Sequence, residues 1–200
     1  VAGVILDRAP GARVLVVRPD GLSLAEEKEW MMLTDEDLAK ALAVALELAL
    51  NSTDSATLKV LNLSLAGPVH RRPDGRPDNP LPLTGEALQD WLKERFLIVA
   101  AAGNAHRKDR HYPAAFGRVA GVAALDGDEI AEFSNCGPWV RYCAPGTEVF
   151  TSWLSGGAPP RTGFVRWSGT SFASPYVAGQ IAALPREAPQ RCPGGPDCLS

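Results

Sequence analysis

Leu38, Leu42, Leu46 and Leu50 recur at every fourth position, a spacing that predicts an amphipathic or buried helix over residues 35–50. Its start is marked twice. Thr34 stands three residues before Asp37 in an approximate capping box, and Asp35, Glu36 and Asp37 load the first turn with negative charge. Asn51-Ser52-Thr53-Asp54 stops it. A second helix is predicted over Gly85–Arg95, with Leu88, Trp91 and Leu92 on one face, and a last one from near Ser171 to about Leu184. Between them lie short apolar runs of strand character: Val14–Val17, closed by the turn signal Arg18-Pro19-Asp20-Gly21; Leu58–Leu65; Phe96–Ala102; Val119–Leu125; a stretch around Val140–Cys143; and Glu148–Ser152. Residues 67–84 hold no periodicity and are rich in Pro, Arg, Asp and Gly, Arg71, Arg72 and Arg76 among them, which predicts a long surface loop.

Strands alternating with helices predict an α/β fold: a parallel sheet with crossover helices on both faces. In such sheets chemistry collects at the carboxyl ends of strands, and two of these strands close on polar residues, Ser64 and Asn104. No glycine-rich dinucleotide fingerprint or phosphate-binding loop is present, so neither kind of nucleotide site has support.

Composition narrows the classes. The 200 residues suffice for one sizeable domain, and 46% hydrophobic against 22% charged is globular rather than disordered. Twenty Lys plus Arg against 23 Asp plus Glu leave a net charge of −3, which offers no footprint for nucleic acid or an anionic membrane. The longest apolar runs, Ala41–Leu50 and Phe96–Gly103, are too short to cross a bilayer. Cys136, Cys143, Cys192 and Cys198 lack the spacing of a zinc or redox site and read as small buried thiols or local disulfides. The chain opens on Val1 with no leader-like segment. Either a leader or propeptide has been removed, or this is a piece of something longer.

The most informative segment is Gly169-Thr170-Ser171-Phe172-Ala173-Ser174-Pro175-Tyr176-Val177-Ala178-Gly179. A glycine turns the chain tightly into a helix, and Ser171 then stands where unpaired N–H groups and the helix dipole favour negative charge. Pro175 is tolerated in the first turn. Taken alone, Ser171 reads as an ordinary N-cap.

That segment is similar to the nucleophile motif of the subtilisin-like serine peptidases, and three further blocks occur in the same family's order. Val99-Ala100-Ala101-Ala102-Gly103-Asn104 resembles the strand carrying the oxyanion asparagine. Val60–Gly67 resembles the strand that binds the substrate backbone. Phe133-Ser134-Asn135 and Ala144-Pro145-Gly146 make the last block. The resemblance covers about residues 1–184 and leaves 185–200 as an irregular Pro/Gly/Cys-containing tail.

By that resemblance Ser171 is the nucleophile, and Asn104 with the Ser171 N–H is the oxyanion hole. Ser64, Leu65, Ala66 and Gly67 pair with an extended polypeptide substrate, and Ala101, Ala102 and Gly103 form the other wall of the pocket for the residue before the scissile bond. His111, ahead of Tyr112-Pro113, stands at a position that resembles that pocket's floor, with simple packing or exposure as the alternative reading. The family's aspartate and histidine blocks are absent. Val1-Ala2-Gly3 and Ala9-Pro10-Gly11-Ala12 resemble the family segments immediately downstream of the histidine, so the chain is expected to begin within the histidine-bearing helix and to lack the aspartate-bearing strand. By the same resemblance, that loss is expected to leave two rows of backbone groups unpaired. Asp7 comes after an apolar run but lacks the residues expected next to a catalytic aspartate; His70 and His106 read as solvated surface histidines. Only Val4–Arg8 fill the interval where the family inserts a calcium-binding loop, so no cofactor is expected. The expected function is that of a peptidase domain fragment with little activity of its own, for want of a base; the rival is a non-catalytic peptide-binding module that keeps the cleft. A partner segment or propeptide outside these residues is consistent with the first.

Overall fold

The computed structural model describes residues 1–18, 34–52, 60–68, 81–154, 162–183 and 189–192. Helix α1 (Ala2–Arg8) begins at the first residues, and α2 (Asp35–Leu50) has the predicted bounds, with Thr34 Oγ1 accepting the Asp37 N–H at 3.1 Å. Helix α3 (Pro82–Lys93) starts three residues before its predicted onset. Proline occupies its first turn, and the Asp35 carboxylate accepts the N–H groups of Leu83 and Thr84 at 2.8 and 2.9 Å. One acidic residue therefore serves the N-termini of two helices. Leu38, Leu42, Leu88 and Trp91 close the space between α2 and α3, and the Trp91 ring meets Phe96 edge-on at 4.6 Å.

The main sheet runs through β1 (Val60–Leu63), β3 (Leu97–Ala101) and β5 (Ala120–Asp126), all parallel. Between β1 and β3 in sequence lies the two-residue β2 (Gly67–Pro68), which pairs antiparallel with β4 (His111–Tyr112). Parallel β7 (Val140–Pro145) takes the far edge of β5, while β6 (Glu129–Ile130) folds back as a hairpin on its end. Ile98 and Ala100 face the α2–α3 layer; Val99, Val122 and Ala124 face α4 (Thr170–Ala182). Alternate residues of each strand thus enter different cores, as the expected architecture of helices on both faces requires. Helix α1 crosses α4 closely at Gly179, where a Cβ would lie 2.7 Å from Arg8 Cβ and 2.9 Å from the Ile5 carbonyl.

Two departures matter. Val14–Val17 carries no ladder to any described strand, although its β-branched run predicts one, and Leu15 and Val16 are exposed. A groove of about 1180 Å³ separates that segment from β1, lined on its sides by α1, α2 and the β1 strand. The predicted Glu148–Ser152 strand is one arm of a hairpin, β8 (Val149–Leu154) with β9 (Thr162–Trp167), and the second arm was not among the predicted strands. Residues 58–59, most of the 67–84 loop with His70, and the tail apart from 189–192 lie outside the described residues. No described helix is long and apolar enough to cross a membrane.

Candidate active site

The entry to α4 is built around Gly169, whose φ of +153° suits glycine and whose N–H donates to the Gly146 carbonyl at 2.7 Å. That bond ties the nucleophile segment to the Ala144-Pro145-Gly146 turn after Cys143. No side chain within α4 caps its start. Asn104 does so from the end of β3: its Oδ1 accepts the Thr170 N–H at 2.9 Å and the Thr170 hydroxyl at 2.8 Å. With Oδ1 so engaged, Nδ2 lies over Gly169, where a Cβ would approach to 3.2 Å. The amide NH2 is thereby held beside the residue preceding Thr170-Ser171, where a Cβ would crowd it and the backbone conformation disfavours one.

Ser171 is the second residue of α4, so its N–H belongs to the first turn, which has no intrahelical acceptors. Its hydroxyl donates to the Ser64 carbonyl at 3.3 Å, and the Ser64 hydroxyl donates back to the Ser171 carbonyl at 3.1 Å. Ser64 Oγ also lies 3.1 Å from Ser174 Oγ and accepts from Asn62 Nδ2 at 2.9 Å. Asn62 Oδ1 is buried without a hydrogen-bond partner among the described residues.

Residues 64–67 and 101–104 face one another. A Cβ on Gly103 would stand 3.2 Å from Ala66 Cβ, and the Gly103 N–H donates to Thr170 Oγ1 at 3.0 Å. Gly67 then enters β2 opposite Tyr112. Ala101 and Ala102 are fully buried beneath this cleft, with the Ala102 N–H given to Val122 and its carbonyl to Asn135. Leu65 packs against the α2–α3 core. His111 is buried, its Nδ1 paired with the Asp109 carbonyl at 3.1 Å and its ring stacked on Trp139. Through β4 it stands opposite Pro68. The Arg107 guanidinium, hydrogen-bonded to Asp109, holds that carboxyl below the ordinary carboxylate range.

Two residues to which the sequence assigned no role position Asn104. Asn135, buried completely, donates from Nδ2 to the Ala102 carbonyl at 2.9 Å and accepts the Ala105 and Arg107 N–H groups on Oδ1, each at 3.0 Å. Its own N–H donates to the Gly103 carbonyl at 2.8 Å. Asn135 thus grips the chain on both sides of Asn104. Thr170 completes the link by bonding Gly103 and Asn104 at once. The blocks containing both were visible in the sequence, but not their partners.

Among the described histidines, His106 bonds the Glu132 carbonyl through Nδ1 and is exposed; neither it nor His111 hydrogen-bonds Ser171. Asp7 forms an exposed ion pair with Arg8 at 2.6 Å. No group of three or more His, Cys, Asp or Glu among the described residues is arranged to hold a metal ion.

The family described as the Subtilase family matches residues 2–194. The chain is 32% identical over 181 residues to a thermophilic serine proteinase of Bacillus sp. (strain AK1), an alignment covering 90% of this chain and 37% of that protein. The structure of a prenylagaramide maturation protease, PagA, superposes with a TM-score of 0.58 at 28% identity, covering 76% of this chain and 50% of that one. A lanthipeptide protease shares the fold with a TM-score of 0.66 at 21% identity, over 90% of this chain and 58% of its own. The chain therefore spans about half the length of these proteins, or less.

Proposed function

Because the chain belongs to the subtilase family, we propose that it carries the nucleophile half of a serine endopeptidase site acting by acyl transfer. Ser171 Oγ attacks the scissile carbonyl of a polypeptide, and the carbonyl oxygen becomes an oxyanion. Asn104 Nδ2 and the Ser171 N–H hold that oxyanion, the amine leaves, and water releases the acyl group from Ser171. The substrate lies extended along Ser64, Leu65, Ala66 and Gly67, with Gly103 and the chain over Ala101 and Ala102 opposite and His111 below. This chemistry needs no metal or cofactor. It does need a base to take the Ser171 proton, and an acid to orient that base. Neither the aspartate nor the histidine motif occurs in residues 1–200, so both are assigned to polypeptide beyond this chain, and the chain alone is expected to hydrolyse almost nothing.

One observation supports the reading above the others: Asn104 Oδ1 caps Thr170, the residue immediately before Ser171. The test is labelling with a serine-directed peptide phosphonate in a protein extended upstream of Val1. Label on the peptide containing Ser171, lost in Ser171→Ala, supports the enzyme; label elsewhere, or equal label in the variant, overturns it. A second reading, a peptide-binding module without catalysis, is favoured by the Ser171 hydroxyl resting on a main-chain carbonyl. It predicts no label alongside retained binding of extended peptides.

A further inference from the structure

On the edge of the main sheet remote from β1, the described segment 189–192 lies antiparallel to β7. Tyr142 is bridged to Arg191, the Cys143 N–H donates to the Gln190 carbonyl at 3.2 Å, and the Cys192 N–H donates to the Arg141 carbonyl at 3.1 Å. That register puts Cys143 and Cys192 on the same face of the pairing. Both side chains enter one small core with Ala102, Ala123, Leu125 and Val140, Cys143 buried and Cys192 partly accessible. Both remain as thiols, and Cys136 is disulfide-bonded and so does not compete. A hydrogen bond between the two sulfurs, with burial as the smaller cause, pushes the Cys143 thiol well above its ordinary range.

We propose that Cys143 and Cys192 form an oxidation site that closes to an intrachain disulfide, with a low-molecular-weight disulfide of the glutathione type as oxidant. Cys192, the more accessible thiol, reacts first. Its thiolate attacks one sulfur of the oxidant, expelling one thiolate and leaving a mixed disulfide. Cys143, losing its proton to solvent, then attacks the Cys192 sulfur and expels the second thiolate. Two protein thiols are oxidised, one external disulfide is reduced to two thiols, and the protons balance. Cys143 and Cys192 are diagonal neighbours across the bridge, and their sulfurs already interact there. The closed loop of about 50 residues contains the β8–β9 hairpin and all of α4, so the bond constrains the part of the chain that carries Ser171. This site stands apart from the proposed peptidase chemistry and does not depend on it.

The test uses the full chain equilibrated in oxidised and in reduced glutathione, then alkylated and digested without reduction. Trypsin cuts after Arg141, Arg161 and Arg191, and cleavage before Asp197 separates Cys192 from Cys198, so a Cys143–Cys192 link is unambiguous by mass. The expected result is that link in the oxidised sample, with a melting temperature about 5–10 °C above the reduced sample. In Cys192→Ser, a change at the more accessible position, that increment disappears. The proposal is overturned if both cysteines stay alkylatable after oxidation, if Cys143 is found joined to another cysteine or only to glutathione, or if Cys192→Ser keeps the full increment.

Discussion

Truncating Asn135 to alanine tests whether the loop bearing Asn104 is held from below. Three side-chain hydrogen bonds disappear at once. The Ala105 and Arg107 N–H groups belong to exposed residues, so water replaces Oδ1 there at a cost of about 0.5–1 kcal/mol each. The Ala102 carbonyl is different. It belongs to a completely buried residue, and leaving it unpaired costs about 1–3 kcal/mol. Adding about 1 kcal/mol for the void, the total is roughly 3–6 kcal/mol, a large share of the ~5–15 kcal/mol that holds a domain together. In a chain of this size that lowers the melting temperature by roughly 8–15 °C. Asn135→Asp supplies the sharper signature. The carboxylate keeps the two acceptor bonds but sets negative charge against the Ala102 carbonyl, which raises its pKa in the folded state above the unfolded value. Stability relative to wild type is then worst at neutral pH and recovers as pH falls through that raised value, where the protonated carboxyl donates as the amide does. Urea unfolding at pH 7 and pH 4 measures both effects. An Asn135→Ala protein within about 0.5 kcal/mol of wild type, or an Asn135→Asp deficit that widens in acid, refutes the argument.

Asp35→Ala removes the acceptor shared by Leu83 and Thr84 and is expected to destabilise by about 2–3 kcal/mol, more than one N-cap is worth; a chemical melt showing under ~0.5 kcal/mol would sink the two-helix cap. Arg107→Ala should let the Asp109 carboxyl rise toward the ordinary carboxylate range, because the guanidinium bond is the main cause of its depression. Carbon-detected NMR titration of Asp109 reads the midpoint directly, and an unchanged value counts against the pair.

How far the sequence carries depends on whether a contact is local. The four-residue leucine repeat and Thr34 act within one helix, and α2 has its predicted bounds. The start of α3 was hidden because half of its cap, Asp35, lies 48 residues before Leu83. Val14–Val17 has the composition of a strand, yet a ladder is made by a neighbour and not by propensity. At the site, Ser171 and Asn104 were legible as motif residues, while the roles of Asn135 and Thr170 were not. Their work consists of hydrogen bonds across 28 to 67 residues, which no window on the chain contains.

Ser64 and Ser171 each spend a hydroxyl on the other's carbonyl, a reciprocal latch spanning 107 positions of the chain. A visiting peptide that lays its amides along Ser64–Gly67 competes for one of those same two carbonyls. The longer half of the latch, at 3.3 Å, is the one such a peptide would displace under the proposed function, which would make docking and activation of the serine one step.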